Sequence, residues 1–342
     1  MAALSARNPT LLDLARRSDP DGKIEAVVEI LNETNEILDD MTWMEGNLPT
    51  GHRTTVRTGI PAPTWRKLYG GVQPTKSTTT QITDSTGMLE AYAEIDKALA
   101  DLNGNTAAFR LSEETAFLEG ISQEIADTLF YGNEGTEPEA FTGLAPRYND
   151  LSAENADNII PGGSVDTDNA SIWMVVWGPN TVHGIIPKGS KAGIQVTDKG
   201  VVTVEDASDG SNTGRYEAYR THYRFDAGLT LRDWRYVVRI PNIDKSLLSN
   251  VFTAGAFATG ANLPDLMFQA MRRPPNLNAG RPVFYASRDI ATWISRQKAA
   301  MGIEAGYVES ENVTGDKRWT ETFMGIPIRR CDSLSADEAL VP

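Results

Sequence analysis

The sequence predicts an α+β protein, and three features of the chain support this. Residues 171–240 contain four strand-like runs separated by Gly, Pro and Asp turns. Residues 112–130 instead carry apolar side chains at helical spacing. Between Glu45 and Asp84 the chain has no acidic residue, although it contains 46 carboxylates and has a net charge of −14. A long basic segment therefore stands within an otherwise acidic chain.

The acid-free segment is predicted to form an extended arm, residues 51–86. Its five cations are Arg53, Arg57, Arg66, Lys67 and Lys76. Thr-rich, strand-prone runs flank a centre rich in Pro and Gly, and prolines exclude a central strand of a sheet. A two-stranded ribbon alone is marginal in water. We therefore expect the arm to lie on an acidic surface of another copy of the chain, with Trp65 and Tyr69 as apolar anchors.

Helices are predicted on both sides of the arm. The first covers 23–38, where apolar residues form one narrow stripe and glutamates the other face. A second begins at Met88. A third covers 112–130, with Ser112 as its N-cap and Gly132 just after its end. Its buried stripe is predicted to contain Phe117, Leu118, Ile121, Ile125 and Leu129.

A glycine-rich acidic loop, residues 132–146, follows the third helix. It contains Glu134, Glu137 and Glu139 and no basic residue. This loop and the acidic helix over 23–38 are two alternative candidates for the acidic surface that receives a neighbour's arm, and the sequence does not decide between them. The later predicted elements are four strands of the β-rich region (172–177, 193–204, 216–225 and 234–240), two helices (263–271 and 288–300) and a final strand (325–329).

Composition excludes several classes of protein. The apolar runs are too short to span a bilayer, and the N-terminus lacks the apolar core of a signal peptide. Cys331 is the only cysteine, so no internal disulfide can form and a reducing compartment is expected. The acidic balance argues against tight wrapping by nucleic acid, which requires concentrated Lys and Arg. We expect a soluble intracellular protein.

A search for chemistry predicts no catalytic residue, no cofactor and no metal. Residues 70–77 resemble a phosphate-binding loop, but Thr75 replaces its second glycine and Pro74 removes a backbone N–H. The three histidines lack the spacing of metal ligands. The run 166–169 begins like a calcium loop, but position 12 is Trp177.

Aromatic and basic residues alternate in 215–225 and 232–236. One interpretation is a stacking platform for single-stranded nucleic acid. The acidic background favours the other interpretation, which is two strands with aromatic side chains inward and arginines outward.

The order of these parts resembles the major capsid proteins of tailed double-stranded DNA bacteriophages, with the Hong Kong 97-type fold. The resemblance covers nearly the whole chain. Its most specific pieces are Phe-Tyr-Gly-Asn-Glu-Gly at 130–135 leading to Gly-Leu at 143–144, Phe-Tyr-Ala-Ser-Arg at 284–288, and Phe-Met-Gly-Ile-Pro-Ile at 323–328. Each motif is common by itself, and their order along the chain carries the resemblance.

The resemblance implies an architecture with a peripheral domain, an axial domain and an extended loop that overlaps a neighbouring subunit. The six segments implied are a helical N-terminal arm (1–50), an extended β-hairpin loop (51–86), a peripheral domain with spine helix and acidic loop (87–150), a β-rich middle (151–245), a mixed axial region (246–320) and a return strand (321–342). The spine helix is the one at 112–130.

The function implied is structural: pentamers and hexamers of an icosahedral head enclosing double-stranded DNA, in the virion capsid, assembled in the host bacterial cytoplasm. An encapsulin-like compartment of the same fold is the alternative, and an enzyme of unrecognised type is a third. The expected partners are other copies, a portal, a cement or decoration protein, and packaged DNA by weak non-specific contact, with no membrane. Some relatives carry a large cleaved scaffolding domain that does not fit the short N-terminal arm, so a separate scaffolding protein is expected. We cannot match the Lys–Asn crosslink of other relatives to positions here.

Overall fold

A computed structural model describes residues 33, 35–102, 106–166, 168–205, 214–253, 256–303, 306–311, 317–335 and 337–342. The chain divides into two compact units. Unit 1 comprises Met1–Glu33, Met88–Ile125 and Lys191–Asp226, and unit 2 comprises Thr34–Gly87, Ala126–Ser190 and Ala227–Pro342. Most of the predicted helix over 23–38 lies outside the described residues, and the six segment boundaries stay a prediction.

The described residues form five α-helices and fourteen strands, which confirms the α+β class. The helices are α1 (Ile37–Asp40), α2 (Lys97–Ala100), α3 (Thr106–Tyr131), α4 (Leu263–Arg272) and α5 (Arg288–Ala300). The strands are β1 (Trp43–Glu45), β2 (Gly51–Gly59), β3 (Thr78–Asp96), β4 (Asn169–Trp177), β5 (Val182–Ile186), β6 (Gln195–Glu205), β7 (Arg215–Leu231), β8 (Val237–Asp244), β9 (Phe252–Thr253), β10 (Ala256–Phe257), β11 (Arg281–Ala286), β12 (Gly306–Glu311), β13 (Lys317–Phe323) and β14 (Ile326–Arg330). Within the described part of the chain, none of the helices has the length and apolarity needed to cross a membrane.

The core of unit 2 is centred on β4, whose nine residues are all buried. Strand β4 pairs antiparallel with β8 along one edge and with β11 along the other, and β14 extends the sheet beyond β11. Alternate side chains point to opposite faces. Met174 packs in the core cluster that contains α4 and α5, whereas the ring of Trp173 lies 6.1 Å from that of Phe130 on α3. Burial on both faces explains why β4 is continuously apolar from Ile172 to Trp177.

Unit 1 contains β6, the first part of β7, the last part of β3 and most of α3. Strand β6 pairs antiparallel with the first part of β7. Salt bridges fix these elements: Lys97 to Glu217 at 3.2 Å, and Arg110 of α3 to Asp198 of β6 at 3.0 Å. A small cluster of Ile95, Ala100 and Phe109 forms its apolar contact. Because each of the two salt bridges includes an exposed carboxylate, each contributes little to the stability of unit 1.

The prediction of a helix from Met88 is wrong, because β3 continues to Asp96 and only the four residues of α2 are helical. The burial pattern explains the error. Ala93 and Ile95 are buried and alternate with more exposed positions such as Tyr92, which is the two-residue period of a strand. Alanine and glutamate favour helices in isolation, and pairing with β7 overrides that preference here.

The long helix predicted at 112–130 is confirmed as α3, although α3 begins at Thr106 rather than at Ser112. Ser112 lies inside the helix and donates from Oγ to the Phe109 carbonyl, so it is not an N-cap. Leu118 is exposed, which corrects the predicted stripe, whereas Ile121, Ile125 and Leu129 are buried. The helix ends before Gly132 as predicted, and a Cβ there would lie 2.6 Å from the Thr128 carbonyl oxygen.

A buried carboxylate fixes the start of unit 2 to its sheet. Asp40, at the end of α1, is fully buried and forms a salt bridge with Arg281 of β11. Its Oδ2 lies 3.4 Å from Nε of Arg329 on β14 and accepts a hydrogen bond of 3.1 Å from the Tyr285 hydroxyl. Arg329 also reaches Glu36 at 3.0 Å. The buried carboxylate of Asp40 therefore joins two guanidinium groups, and Glu36 also compensates the charge of Arg329.

Replacement of this carboxylate should destabilise the subunit strongly. We expect Asp40→Asn to lower the free energy of unfolding by about 1.5–3 kcal/mol, because it removes the buried charge that Arg281, Arg329 and Tyr285 contact. Denaturant unfolding of the unassembled chain measures this. Asp39→Asn is the matched control, since Asp39 is exposed, and should change stability by less than about 0.5 kcal/mol. Equal effects of the two substitutions would contradict the anchoring role of Asp40.

Candidate inter-subunit interface

The arm is an antiparallel ribbon of β2 and the first part of β3, as predicted. The register runs from Gly51 opposite Ser85 to Gly59 opposite Thr78, with an irregularity after Arg57. Arg53 and Arg57 are two of the exposed residues on β2 and share one face, because they are four positions apart in a strand. The ribbon therefore presents two of its cations in the same direction.

The tip of the arm, residues 60–77, contains a tight turn. The Gly70 N–H donates to the Lys67 carbonyl at 3.1 Å, and Arg66 Nε donates to the Gly70 carbonyl at 3.0 Å. Tyr69 has a φ of 65°, the left-handed value that the third residue of such a turn can require. The side chains of Trp65, Leu68 and Tyr69 are almost completely exposed. The described part of the chain thus leaves three large apolar groups of the tip without burial.

The predicted interface cations are also exposed. Arg53, Arg57, Arg66 and Lys67 all lie on the surface of the arm, and Arg53 Nε donates to Thr83 Oγ1 at 3.3 Å. Over the residues that the structure describes, none of these four cations lies within 4.0 Å of a carboxylate. Their charge is therefore not compensated by a direct ion pair in the subunit.

The acidic loop contacts the base of its own arm. Glu134 Oε2 accepts a hydrogen bond of 2.9 Å from Ser85 Oγ, and a Cβ on Gly87 would lie 2.9 Å from the Glu139 carbonyl oxygen. Glu134, Glu137 and Glu139 are exposed. The structure thus places the predicted acidic residues at the base of the arm and not at its tip. Contact of these residues with another subunit stays a prediction.

A buried polar cluster, which the sequence did not reveal, fixes the base of the arm. Asp84 of β3 accepts a hydrogen bond of 2.9 Å from Arg147, and Arg147 also donates to the carbonyls of Thr142, Gly143 and Leu229. His52 Nε2 lies 3.2 Å from the Arg232 guanidinium. The other ring nitrogen of His52, Nδ1, accepts a hydrogen bond of 3.3 Å from the Asn47 N–H.

Two histidines in this cluster are held in the neutral form. The ring of His52 lies 5.8 Å from that of His183 on β5, in an edge-to-face arrangement. Burial, with Arg232 and His52 nearby, lowers the pKa of His183 to about 4. Burial and Arg232 also lower the pKa of His52, although Asp84 opposes this shift. Protonation of either histidine in acid would therefore place a positive charge near the Arg232 guanidinium at the base of the arm.

The arginines of β7 support the strand interpretation of the aromatic and basic run. Arg224 Nε lies 2.9 Å from Asp226 and 3.6 Å from Glu90, and Arg220 pairs with Glu94. Tyr223 and Phe225 are buried. Both arginines therefore form ion pairs with carboxylates of unit 1, as charged residues on one face of an ordinary strand do.

Three carboxylates of unit 2 could hold a cation. Oxygens of Asp166, Asp168 and Asp244 lie within 4.8 Å of one another. Two of them belong to the run that begins like a calcium loop, and Asp244 comes from β8. Spacing in the sequence could not reveal the third member, because strand pairing brings it there.

Comparisons with known proteins agree with one another. The family model of major capsid protein GP7 matches residues 19–342. A chain from the structure of bacteriophage Epsilon15 is 36% identical, with 100% of both chains covered and a TM-score of 0.75. The capsid of bacteriophage JBD30 is 11% identical, covering 90% of this chain and 93% of its own, with a TM-score of 0.46. The chain matches no curated protein sequence.

A more distant structural match is the SrpI encapsulin from Synechococcus elongatus. It is 8% identical, covers 64% of this chain and 91% of its own, and has a TM-score of 0.41. At these values neither the encapsulin nor the JBD30 capsid adds to the assignment of function.

The histidine cluster predicts a specific loss of stability in acid. The pKa of His183 is about 4 in the folded chain against 6.5 for an ordinary histidine, so below about pH 6.5 the unfolded chain binds a proton that the folded chain does not. Stability should fall by up to about 3 kcal/mol between pH 7 and pH 4. Unfolding of the unassembled chain across this range measures the slope. His183→Leu should show a shallower slope, and an unchanged slope would contradict the assignment.

Proposed function

Since the chain belongs to the family of major capsid protein GP7, we propose that it assembles as pentamers and hexamers of an icosahedral head, in which each arm clasps a neighbouring subunit. The resemblance identified from the sequence is confirmed: the chain is a structural capsid protein of a tailed phage and not an enzyme. The same match favours the capsid over the encapsulin-like compartment.

One observation supports the clasping role of the arm. Its tip exposes Trp65, Leu68 and Tyr69 almost completely, and burial of a large apolar side chain contributes about 1.5–3 kcal/mol. A monomer gains none of this. Contact with a second copy would bury these groups, and aromatic residues that enter a partner's surface are typical of the side chains that dominate binding energy.

The charge distribution supports the same role. In a ring of identical subunits, one patch on each subunit contacts a different patch on the next. A basic arm on an acidic chain provides two such patches, and their opposite charge fixes partner and register. The cations of the arm lack direct carboxylate partners in the described part of the subunit, so they are available to a neighbour.

The other partners stay predictions. They are a separate scaffolding protein, a portal, a cement or decoration protein and packaged DNA, with assembly in the host cytoplasm. The net charge of −14 supports weak contact with DNA, because an acidic wall repels phosphates and lets the genome move during packaging and release.

Charge reversal on the arm tests the proposal. We expect Arg53→Glu, Arg57→Glu and Arg66→Glu together to block shell formation while the subunit still folds, because all three side chains are exposed. Negative-stain microscopy and sedimentation measure shell yield under conditions in which the unmodified chain forms shells. Circular dichroism of the unassembled chain measures folding.

A second triple variant controls for net charge. Lys188→Glu, Lys191→Glu and Lys199→Glu change the same number of exposed lysines outside the arm and should leave shell yield near normal. Normal shells from the arm variant, or an equal loss in both variants, would overturn the clasping role.

A further inference from the structure

Three carboxylates of unit 2 lie together where β4 begins and β8 ends. Oxygens of Asp166, Asp168 and Asp244 all lie within 4.8 Å of one another, and like charges at this separation repel one another. In the part of the chain that the structure describes, neither Asp168 nor Asp244 has a Lys or Arg nitrogen within 4.0 Å. The adjacent Lys245 pairs instead with Asp337 at 3.3 Å. A bound cation would offset the repulsion.

A buried amide beside these carboxylates has an oxygen without a partner. Asn169 is fully buried. Its Nδ2 donates to the Asp166 carbonyl at 2.5 Å, and its own backbone carbonyl accepts a hydrogen bond of 2.8 Å from the Glu338 N–H. In the described structure, Oδ1 of Asn169 has no hydrogen-bond partner. Because a buried polar atom without a partner is costly, this oxygen indicates a ligand that carries positive charge.

Strand pairing places the Asn169 side chain with the three carboxylates. Asn169 and Asp244 lie directly opposite each other in the register of β4 and β8, so their side chains are neighbours on one face of the sheet. Asp168 is the adjacent residue in the chain. The amide nitrogen must face the Asp166 carbonyl to donate to it, which determines the orientation of the amide and leaves Oδ1 for the cluster.

The carboxylate of Asp244 is oriented by hydrogen bonds to one of its two oxygens. Oδ1 accepts from the N–H and the hydroxyl of Ser246 at 2.8 and 2.7 Å and from the Leu247 N–H at 3.3 Å. In the described structure, Oδ2 accepts no hydrogen bond. Ligating carboxylates are commonly held in this way, with one oxygen fixed by the protein and the other directed at the metal.

We propose that Asp166, Asp168, Asn169 and Asp244 bind one calcium ion through three carboxylates and one amide oxygen. Calcium takes about six to eight oxygen ligands at about 2.3–2.6 Å, so two ligands of one ion lie at most about 5 Å apart. The carboxylate oxygens satisfy this limit. Asp166 is exposed and Asp168 half-buried, so water can complete the ligand shell. Magnesium usually takes only one or two carboxylates, and this donor set therefore favours calcium.

The spacing of residues in the sequence does not reveal this site. The run 166–169 begins like a calcium loop, but position 12 is Trp177. Asp244, at the end of β8, replaces the carboxylate that an ordinary calcium loop has at that position. The ion joins the start of β4 to the end of β8 in the core sheet of unit 2. Calcium therefore stabilises the folded subunit by mass action.

Calcium titration of the unassembled full chain tests the proposal independently of the clasping role of the arm. After dialysis against EDTA, isothermal titration calorimetry in about 150 mM KCl, which screens weak surface binding, should show one calcium ion per chain. The dissociation constant should be about 1 mM or tighter. Saturating calcium should raise the melting temperature by about 3–5 °C, and the same concentration of magnesium should raise it less.

Asp168→Asn distinguishes a calcium ligand from a structural carboxylate. Among the described residues, Asp168 has no hydrogen bond or ion pair, so in EDTA the variant should melt at the same or a higher temperature because repulsion is reduced. Its calcium affinity should fall at least tenfold, and the thermal shift with calcium should disappear. Asp166→Asn, at an exposed position, should cause the same loss. Asp39→Asn removes an exposed carboxylate outside the cluster and should change neither property.

Three results would overturn the calcium site. The first is the absence of a bound calcium ion in the unmodified chain. The second is a thermal shift with calcium that Asp168→Asn and Asp166→Asn both retain, which would indicate adventitious binding to the acidic surface. The third is a lower melting temperature of Asp168→Asn in EDTA with unchanged calcium affinity, which would assign Asp168 a structural role only.

Discussion

An isolated two-stranded ribbon is at best marginally stable in water, and this constraint determines how the arm must be fixed. At its base, Asp84 and Arg147 hold β3 to the loop that follows α3 and to the β7 carbonyl of Leu229. At its tip, Trp65 and Tyr69 have no such support in the described structure and are fully exposed. The described part of the subunit therefore stabilises the base of the arm, and we propose that a second copy stabilises its tip.

The cations of the chain also differ between the body of the subunit and the arm. Arginines of the body, such as Arg220, Arg224 and Arg239, are matched by carboxylates of their own unit. The buried ones, among them the pair of Arg239 with Glu338, fix the fold, since an unmatched buried charge is costly. Exposed cations of the arm do not need a partner for folding, because water solvates them. They can therefore determine which surface the arm meets and in which register.

The sequence predicted those elements whose signal is local. The arm was predictable because the absence of acidic residues and the Thr-rich runs are both local, and α5 was predicted with its observed bounds, 288–300. The residues from Met88 to Asp96 were predicted as a helix, because pairing with β7 is not visible in the sequence. The cluster around Asp84 and His183 and the anchor at Asp40 were not predictable either. Each joins residues more than 60 positions apart, and only the folded sheet brings them together.

The most direct test of the account is a cryo-EM reconstruction of the assembled shell at a resolution that shows side chains. We expect the indole of Trp65 to be buried against a different subunit. A reconstruction in which Trp65 remains exposed to solvent, or packs against its own chain, would contradict the central claim that a second copy completes the arm.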